Sequence, residues 1–307
     1  MTVPSIVYKA HGTCNDFVIY ADPEGKYVPE EREVCFLTDR NRCIGGDGII
    51  RLAHPRHVPD LTEEQVEEFE AAGVKWFMDY RNRDGSLAQM CGNGLRATAF
   101  FAQYLGVEGT ESGSFDIGTR AGIKHVERLE NDPVLGENIY RLDMGKWKSG
   151  EIDEYKISVS PDIKLGGTYV DMGNPHIVSV LEEDALQTVK NLDLSAAPAV
   201  APVLESGQNV EFVAIESLPD GSENTVCENA FCNSAPGRAF MRVHERGVGE
   251  TLSCGTGLCA SAATLYRKTG VRSWIITVRG GVLRIDVEDE KVFLTGSATI
   301  VAKIELL

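Results

Sequence analysis

The sequence predicts an α/β chain of the α+β type: two pseudo-twofold-related domains, each a curled, mostly antiparallel sheet around one central helix. Three observations lead there. Segments 95–105 and 258–268 are Ala-rich and apolar almost all round, the pattern of a helix buried on every side. Each follows a cysteine and a Gly-x-Gly, in Met90-Cys91-Gly92-Asn93-Gly94 and Ser253-Cys254-Gly255-Thr256-Gly257. Short strand-like runs separated by glycine-rich turns outnumber the helix signals. The length of 307 residues also fits two domains at roughly 150 residues each.

The duplication extends beyond the two cysteines. Asn15, in Asn15-Asp16-Phe17-Val18-Ile19, precedes Cys91 by 76 positions, and Asn174, in Asn174-Pro175-His176-Ile177-Val178, precedes Cys254 by 80. Asn82, beside Arg81, and Glu245, beside Arg246, each stand 9 residues before their cysteine. Gly46-Asp47-Gly48-Ile49-Ile50 lies 41 to 45 positions ahead of Cys91, and Asn209-Val210-Glu211-Phe212-Val213 starts 45 ahead of Cys254. A repeat of about 160 residues is too long for a solenoid. It predicts two homologous halves with a cleft between them.

Along the chain, the run 15–19 reads as a strand and 36–52 carries β-type patterning with glycine-rich turns. Segment 62–72 reads as an amphipathic helix with Thr62 as N-cap and Gln65 completing a capping box. Strand signals follow at 74–80, 140–144, 210–215, 240–243 and 291–294, with a longer β-type stretch at 275–287. Segment 191–207 is an Ala/Pro-rich connection, and 219–236 is polar and turn-rich, a surface loop.

Composition excludes several classes. The net charge of −16 argues against a nucleic-acid partner or an anionic membrane. The first residues lack a basic segment followed by an apolar core, and no apolar run approaches the ~18 residues of a span. A cytoplasmic protein with reduced thiols is expected. Eight cysteines are too few for a disulfide scaffold. Cys35 and Cys259 are expected to be buried small hydrophobes. Cys227-x4-Cys232 and Cys254-x4-Cys259 could suggest zinc, but the second pair straddles a helix start and would diverge; no metal is expected.

A thiol at a helix mouth has a particular chemistry. The outward N–H groups and the helix dipole favour negative charge. They draw a cysteine pKa from about 8.5 toward neutrality and bind a carboxylate. Two such thiols facing one carbon would let one remove a proton while the other delivers a proton to the opposite face.

These residues resemble the diaminopimelate epimerase family. The resemblance rests on Met90-Cys91-Gly92-Asn93-Gly94 and on Gly249-Glu250-Thr251-Leu252-Ser253-Cys254-Gly255-Thr256-Gly257. It extends to Asn15-Asp16-Phe17, Asp39-Arg40 through Gly48, Asn82-Arg83-Asp84-Gly85-Ser86, Met172-Gly173-Asn174-Pro175-His176, Asn209-Val210-Glu211-Phe212 and His244-Glu245-Arg246-Gly247, in family order over most of the chain. The sister group, proline racemase, usually has His where this chain has Asn93. The resemblance implies a PLP-independent isomerase that interconverts L,L- and meso-diaminopimelate in lysine and peptidoglycan-precursor synthesis, with no cofactor. It implies that the last strand returns to the first domain, giving an N-terminal half of 1–139 plus 295–307 and a C-terminal half of 140–294.

By the same resemblance Cys91 and Cys254 are the acid/base pair, and His176 and Glu245 bias their protonation. Glu245 would also hold the reacting α-ammonium. Asn15, Asn82, Asn174, Asn209 and Arg246 would bind the distal end of the substrate, as suits amides and a bidentate guanidinium. The N–H groups of Gly92, Asn93, Gly255 and Thr256 would take the carboxylate at the reacting centre. Three departures stand out. Gly48 replaces a side chain that touches substrate in some members, Cys43 lies where glycine is commoner, and the 219–236 loop is longer than typical.

Two other readings fit the same motifs. One is a racemase of a different amino acid on this scaffold. The other is a non-catalytic anion- or amino-acid-binding module, which would not need two thiols. A small-molecule partner is common to all three, and a homodimer stands as the working assembly.

Overall fold

A computed structural model describes residues 2–181, 185–219 and 235–307. The chain divides into two compact units: Met1–Leu142 with Gly296–Leu307, and Asp143–Thr295. Each is dominated by strands.

The first unit carries β1 (Ile6–Gly12), β2 (Asn15–Asp22), α1 (Glu31–Leu37), β3 (Gly48–Ala53), α2 (Glu63–Ala71), β4 (Phe77–Asn82), α3 (Gly92–Leu105), β5 (Ser114–Thr119), β6 (Gly122–Leu129) and β7 (Ile139–Asp143). Pairing runs β1/β2 antiparallel, β2/β3 parallel, β3/β4 antiparallel, β4/β5 parallel, then β5/β6 and β6/β7 antiparallel. The second unit carries β8 (Lys148–Ser149), β9 (Tyr155–Ser160), β10 (Ile163–Asp171), β11 (Pro175–Leu181), α4 (Leu186–Asn191), β12 (Ala199–Ala201), β13 (Asn209–Ser217), β14 (Gly237–Glu245), β15 (Gly249–Thr251), α5 (Gly255–Thr269), β16 (Ser273–Val278), β17 (Gly281–Val287) and β18 (Val292–Ser297). Its order repeats the first: β10/β11 antiparallel, β11/β13 parallel, β13/β14 antiparallel, β14/β16 parallel, then β16/β17 and β17/β18 antiparallel. The last strand, β19 (Thr299–Glu305), pairs antiparallel with β1. Ile304 and Leu306 at that end pack on Val3, Val7 and Ile49.

Helix α3 packs against β1, β2, β3, β4 and β19, and α5 against β10, β11, β13, β14, β16 and β17. Their sequences explain why. Small residues (Gly94, Ala97, Ala99; Gly257, Ala260, Ala262, Ala263) let strands approach closely, while Leu95, Phe101, Leu258 and Leu265 are fully buried. Each large side chain of this kind contributes about 1.5–3 kcal/mol. Both helices end on a left-handed glycine, Gly106 at φ 64° and Gly270 at φ 76°, where a Cβ would be strained.

Helix α2 starts where its capping box predicts, with Thr62 accepting from the Gln65 N–H and the Gln65 side chain accepting from the Thr62 N–H. The β-type reading of 36–52 holds only from Gly48. Phe36 and Leu37 lie in α1, which Glu30 and Glu33 cap reciprocally, so the local cap overrides the apolar run. Cys35 is exposed on that helix rather than buried, while Cys259 is buried. The 191–207 connection contains β12, paired with β9. Of the 219–236 loop, 220–234 lie outside the described residues, as do Cys227 and Cys232.

Candidate active site

The two helix mouths are built alike. Cys91 is the N-cap of α3, with φ −140° and ψ 118°, and its sulfur accepts from the Gly94 N–H at 3.4 Å. Cys254 is the N-cap of α5, with φ −123° and ψ 115°. Extended backbone at a cap leaves the first-turn N–H groups facing outward. Both thiols are free; Cys91 is half-buried and Cys254 buried.

Amides dominate the first mouth. The Cys91 S–H donates to Asn15 Oδ1 at 3.4 Å, and Asn93 Nδ2 donates to the same oxygen at 3.3 Å. Asn15 Nδ2 donates to Asp47 Oδ2 at 2.7 Å, and Arg40 holds the other oxygen of Asp47 at 2.8 Å. Because Asp47 can only accept, it fixes which way the Asn15 amide faces. Beside it, burial alone would raise the Asp16 carboxyl, but hydrogen bonds from Arg40 and Lys9 hold it at about 2. Behind the mouth, the fully buried Arg96 guanidinium donates to Asn93 Oδ1 and Thr13 Oγ1. Asn82 ends β4, its amide on Ser86 Oγ at 3.0 Å.

Gly48 has no room for a side chain. A Cβ there would lie 2.4 Å from the Arg81 carbonyl and 2.5 Å from the Tyr80 ring, and that ring packs edge-on against Phe17. Tyr80 packing takes the space that a side chain at this position would need.

Ionisable groups surround the second mouth. The His176 and Glu211 side chains are fully buried and pair at 2.7 Å through Nδ1 and Oε1. His176 Nε2 is 3.1 Å from Asn174 Oδ1, Asn174 Nδ2 is 3.4 Å from Thr256 Oγ1, and Thr256 Oγ1 is 3.6 Å from Cys254 Sγ. Glu245 accepts from Thr251 Oγ1 and from the Cys254 thiol. Burial raises the Glu245 carboxyl, the Thr251 and Cys254 hydrogen bonds pull it down, and Glu211 pushes it up again. Asn209 donates to the Pro175 carbonyl and accepts from the Arg246 backbone N–H. The Arg246 guanidinium is exposed, on the Ser206 carbonyl at 2.8 Å.

One expectation is corrected. The helix mouth does not bring Cys254 toward neutrality; its thiol is pushed well above its ordinary value, first by burial, then by Glu245 and Glu211. The Thr256 and Gly257 hydrogen bonds act in the expected direction but are outweighed.

Sequence reasoning assigned no role to Glu211, Asp47, Thr251 or Arg96. Glu211 carried a signal: a single carboxylate inside the apolar run 210–215, where charge is buried only when paired. Among the described residues no cluster of three His, Cys, Asp or Glu could hold a metal, and no helix is long and apolar enough to cross a membrane.

The fold is similar to that of a PhzF-family phenazine biosynthesis protein from Enterococcus faecalis, with TM-score 0.61 at 16% identity and 98% of each chain covered. It is also similar to a hydroxyproline epimerase from Agrobacterium vitis, with TM-score 0.59 at 13% identity over 99% of this chain and 91% of that one. The class is therefore the α/β fold shared by PhzF proteins and proline-racemase-like epimerases. The family model for diaminopimelate epimerase matches residues 7–148 and 168–301. Relatives named diaminopimelate epimerase include those of Thermobifida fusca, 36% identical over 96% of this chain and 95% of theirs, and Corynebacterium glutamicum strain ATCC 13032, 35% identical over 98% and 97%. The chain belongs to the diaminopimelate epimerase family, and is an isomerase.

Proposed function

We propose that this protein interconverts L,L- and meso-diaminopimelate without a cofactor, supplying lysine and peptidoglycan precursors. Cys91 and Cys254 act as its two acid/base groups. The observation that carries this reading is the repetition of one device: a cysteine N-cap ahead of Gly-x-Gly, on matching helices of matching sheets.

The Cα–H of an amino acid is a very weak acid, and most racemases delocalise the charge into PLP. Here the N–H groups of Gly92, Asn93, Gly255 and Thr256 take the carboxylate of the reacting centre. They stabilise the carbanion as an oxyanion hole does. One thiolate takes the proton; the opposite thiol returns one to the other face. Two such thiols titrate as a pair. Glu245 receives the α-ammonium, with His176 biasing the thiols. Asn15, Asn82, Asn174, Asn209 and Arg246 receive the distal amino and carboxylate groups, so a substrate lacking them leaves buried amides unpaired.

The test is incubation of the reduced protein with L,L-diaminopimelate in D2O, with no cofactor, following the α-proton by NMR. Wash-out with appearance of the meso isomer is expected, and Cys91→Ser and Cys254→Ser should each abolish conversion. Exchange of a different amino acid, with none for diaminopimelate, would assign another racemase. Silence across a panel with both thiols titrating as free would leave a binding module.

A further inference from the structure

The register of the two sheets matches residues beneath the two thiols one by one. Phe17 pairs with Gly48 across β2/β3, and His176 with Asn209 across β11/β13. Position 17 therefore corresponds to 176, 48 to 209, and 50 to 211. The close contacts under the helices agree. A Cβ on Gly94 would meet Ile50 Cδ1 at 3.2 Å and Phe17 Cζ at 3.5 Å, while one on Gly257 would meet Glu211 Oε1 at 2.6 Å. The site that Phe17 and Ile50 fill beneath Gly94 in one unit holds a buried His–Glu pair in the other. The fold does not need charge there, since the first unit builds the same architecture without it.

Hydrogen-bond direction shows what the pair can do. Glu211 Oε1, as a carboxylate oxygen, accepts, so His176 Nδ1 carries a hydrogen. From there the chain runs His176 Nε2, Asn174, Thr256, Cys254, at 3.1, 3.4 and 3.6 Å. An amide presents an acceptor on one side and a donor on the other, so this chain runs one way with the Asn174 amide as it stands and the opposite way when that amide turns over. In one, His176 Nε2–H donates to Asn174 Oδ1, Asn174 Nδ2 donates to Thr256 Oγ1, and the Thr256 hydroxyl donates to a Cys254 thiolate. In the other, the Asn174 amide turns over and the Cys254 S–H swings from Glu245 to Thr256, so that the Thr256 hydroxyl donates to Asn174 Oδ1 and Asn174 Nδ2 to an unprotonated His176 Nε2. Both states hold the same number of protons. They differ in whether one sits on sulfur or on the imidazole.

We infer that Glu211 is a positioning residue that anchors a reversible hydrogen-bond relay through His176, Asn174 and Thr256, coupling the proton on the Cys254 sulfur to the charge of a histidine. The relay rests on the two-cysteine reading above for its use in turnover. Its second carboxylate oxygen, Oε2, is buried and has no hydrogen-bond partner, so the Oε1 contact to His176 Nδ1 is the one that orients the ring. The titratable groups around it are His176 on β11, Glu245 on β14 and Cys254 on α5, and all three interact within the same cluster.

The test reads the free protein first. Ring-nitrogen NMR of 15N-histidine protein, with His176 assigned through His176→Asn, should show an Nδ1–H ring in the wild type. The titration of His176 should shift when Cys254 is replaced by Ala. In Glu211→Gln the neutral ring should become a mixture of tautomers, and Thr256→Val, at the half-exposed end of the relay, should uncouple His176 from Cys254. In turnover, Glu211→Gln should lower kcat on the order of 10²-fold with little change in KM and a displaced pH profile, partly rescued by Glu211→Asp. A His176 titration blind to Cys254, or a Glu211→Gln protein with wild-type tautomer and pH profile, would overturn the relay. Coupling by NMR without turnover of diaminopimelate would instead sink the proposed reaction and leave the relay standing.

Discussion

The two helix mouths share a pairing order, a cysteine cap and a Gly-x-Gly, yet differ at nearly every neighbouring side chain. Under Cys91 stand Phe17, Ile50 and Asn82; at the matching positions near Cys254 stand His176, Glu211 and Glu245. The first thiol is half-buried against fixed amides, and the second is buried among carboxylates that push its proton affinity up. Duplication supplied the geometry, and divergence beneath the helices supplied a chemical difference between two equivalent thiols. That difference would suit the two-base reaction proposed above, in which the two thiols have unlike tasks.

The most severe way to break the comparison is to erase it. His176→Phe combined with Glu211→Ile rebuilds the first unit's apolar pair under the second thiol. Replacing a buried hydrogen-bonded polar pair by apolar residues of similar volume is often neutral or stabilising, so the thermal midpoint should hold or rise. Turnover should fall about 10³-fold. Near-normal turnover would show that the His176–Glu211 pair is incidental.

A gentler variant tests the other side. Asp47→Asn frees the Asn15 amide to turn, weakening its acceptance of the Cys91 S–H. Loss of one hydrogen bond to a charged partner, about 1.5–3 kcal/mol, should lower kcat/KM about 10- to 100-fold. The shape of the pH profile should persist, because no group near Cys254 has changed. A displaced profile would mean that the two mouths are not chemically separable.

Smaller still is the contrast between the matched glycines. Gly94→Ala brings a Cβ to 3.2 Å from a methyl group, whereas Gly257→Ala brings it to 2.6 Å from a buried carboxylate oxygen. The first should stay within about 1 kcal/mol of wild type, helped by helix propensity. The second should cost about 1–3 kcal/mol, read by denaturant unfolding. Equal costs would remove Glu211 from beneath the helix.

Much of this was legible in the chain because duplication supplies an internal comparison. Matched spacing tied Asn15 to Asn174 and Asn82 to Glu245, and apolar Ala-rich runs located both central helices. What was not legible depends on register. That Glu211 faces His176 follows from a parallel β11/β13 pairing, and strand pairing is a long-range choice that no local pattern contains. Asp47 and Arg96 were hidden for a similar reason: one sits in a glycine-rich turn, the other in a helix of mostly small and apolar residues, and only the folded contacts reveal their partners. The helix-mouth argument for Cys254 also ran ahead of its scale, since a capping N–H is a small effect beside burial next to two carboxylates.

That imbalance has a consequence for stability at high pH. The folded Cys254 thiol holds its proton well above the ordinary value of 9.0, while the unfolded chain loses it near that value. Below pH 9 both states are protonated and the group contributes nothing to the pH dependence. As pH rises beyond it, the unfolded state sheds a proton that the folded state keeps, so stability falls, by up to about 1.4 kcal/mol per pH unit for one proton. Urea unfolding from pH 8 to 10.5 should therefore decline more steeply for wild type than for Cys254→Ser, by up to one proton's worth of slope. Cys91→Ser, from the half-exposed mouth, should keep more of the wild-type slope. If the two serine variants flatten the curve equally, the two thiols hold their protons alike and the chemical contrast drawn between the two mouths falls.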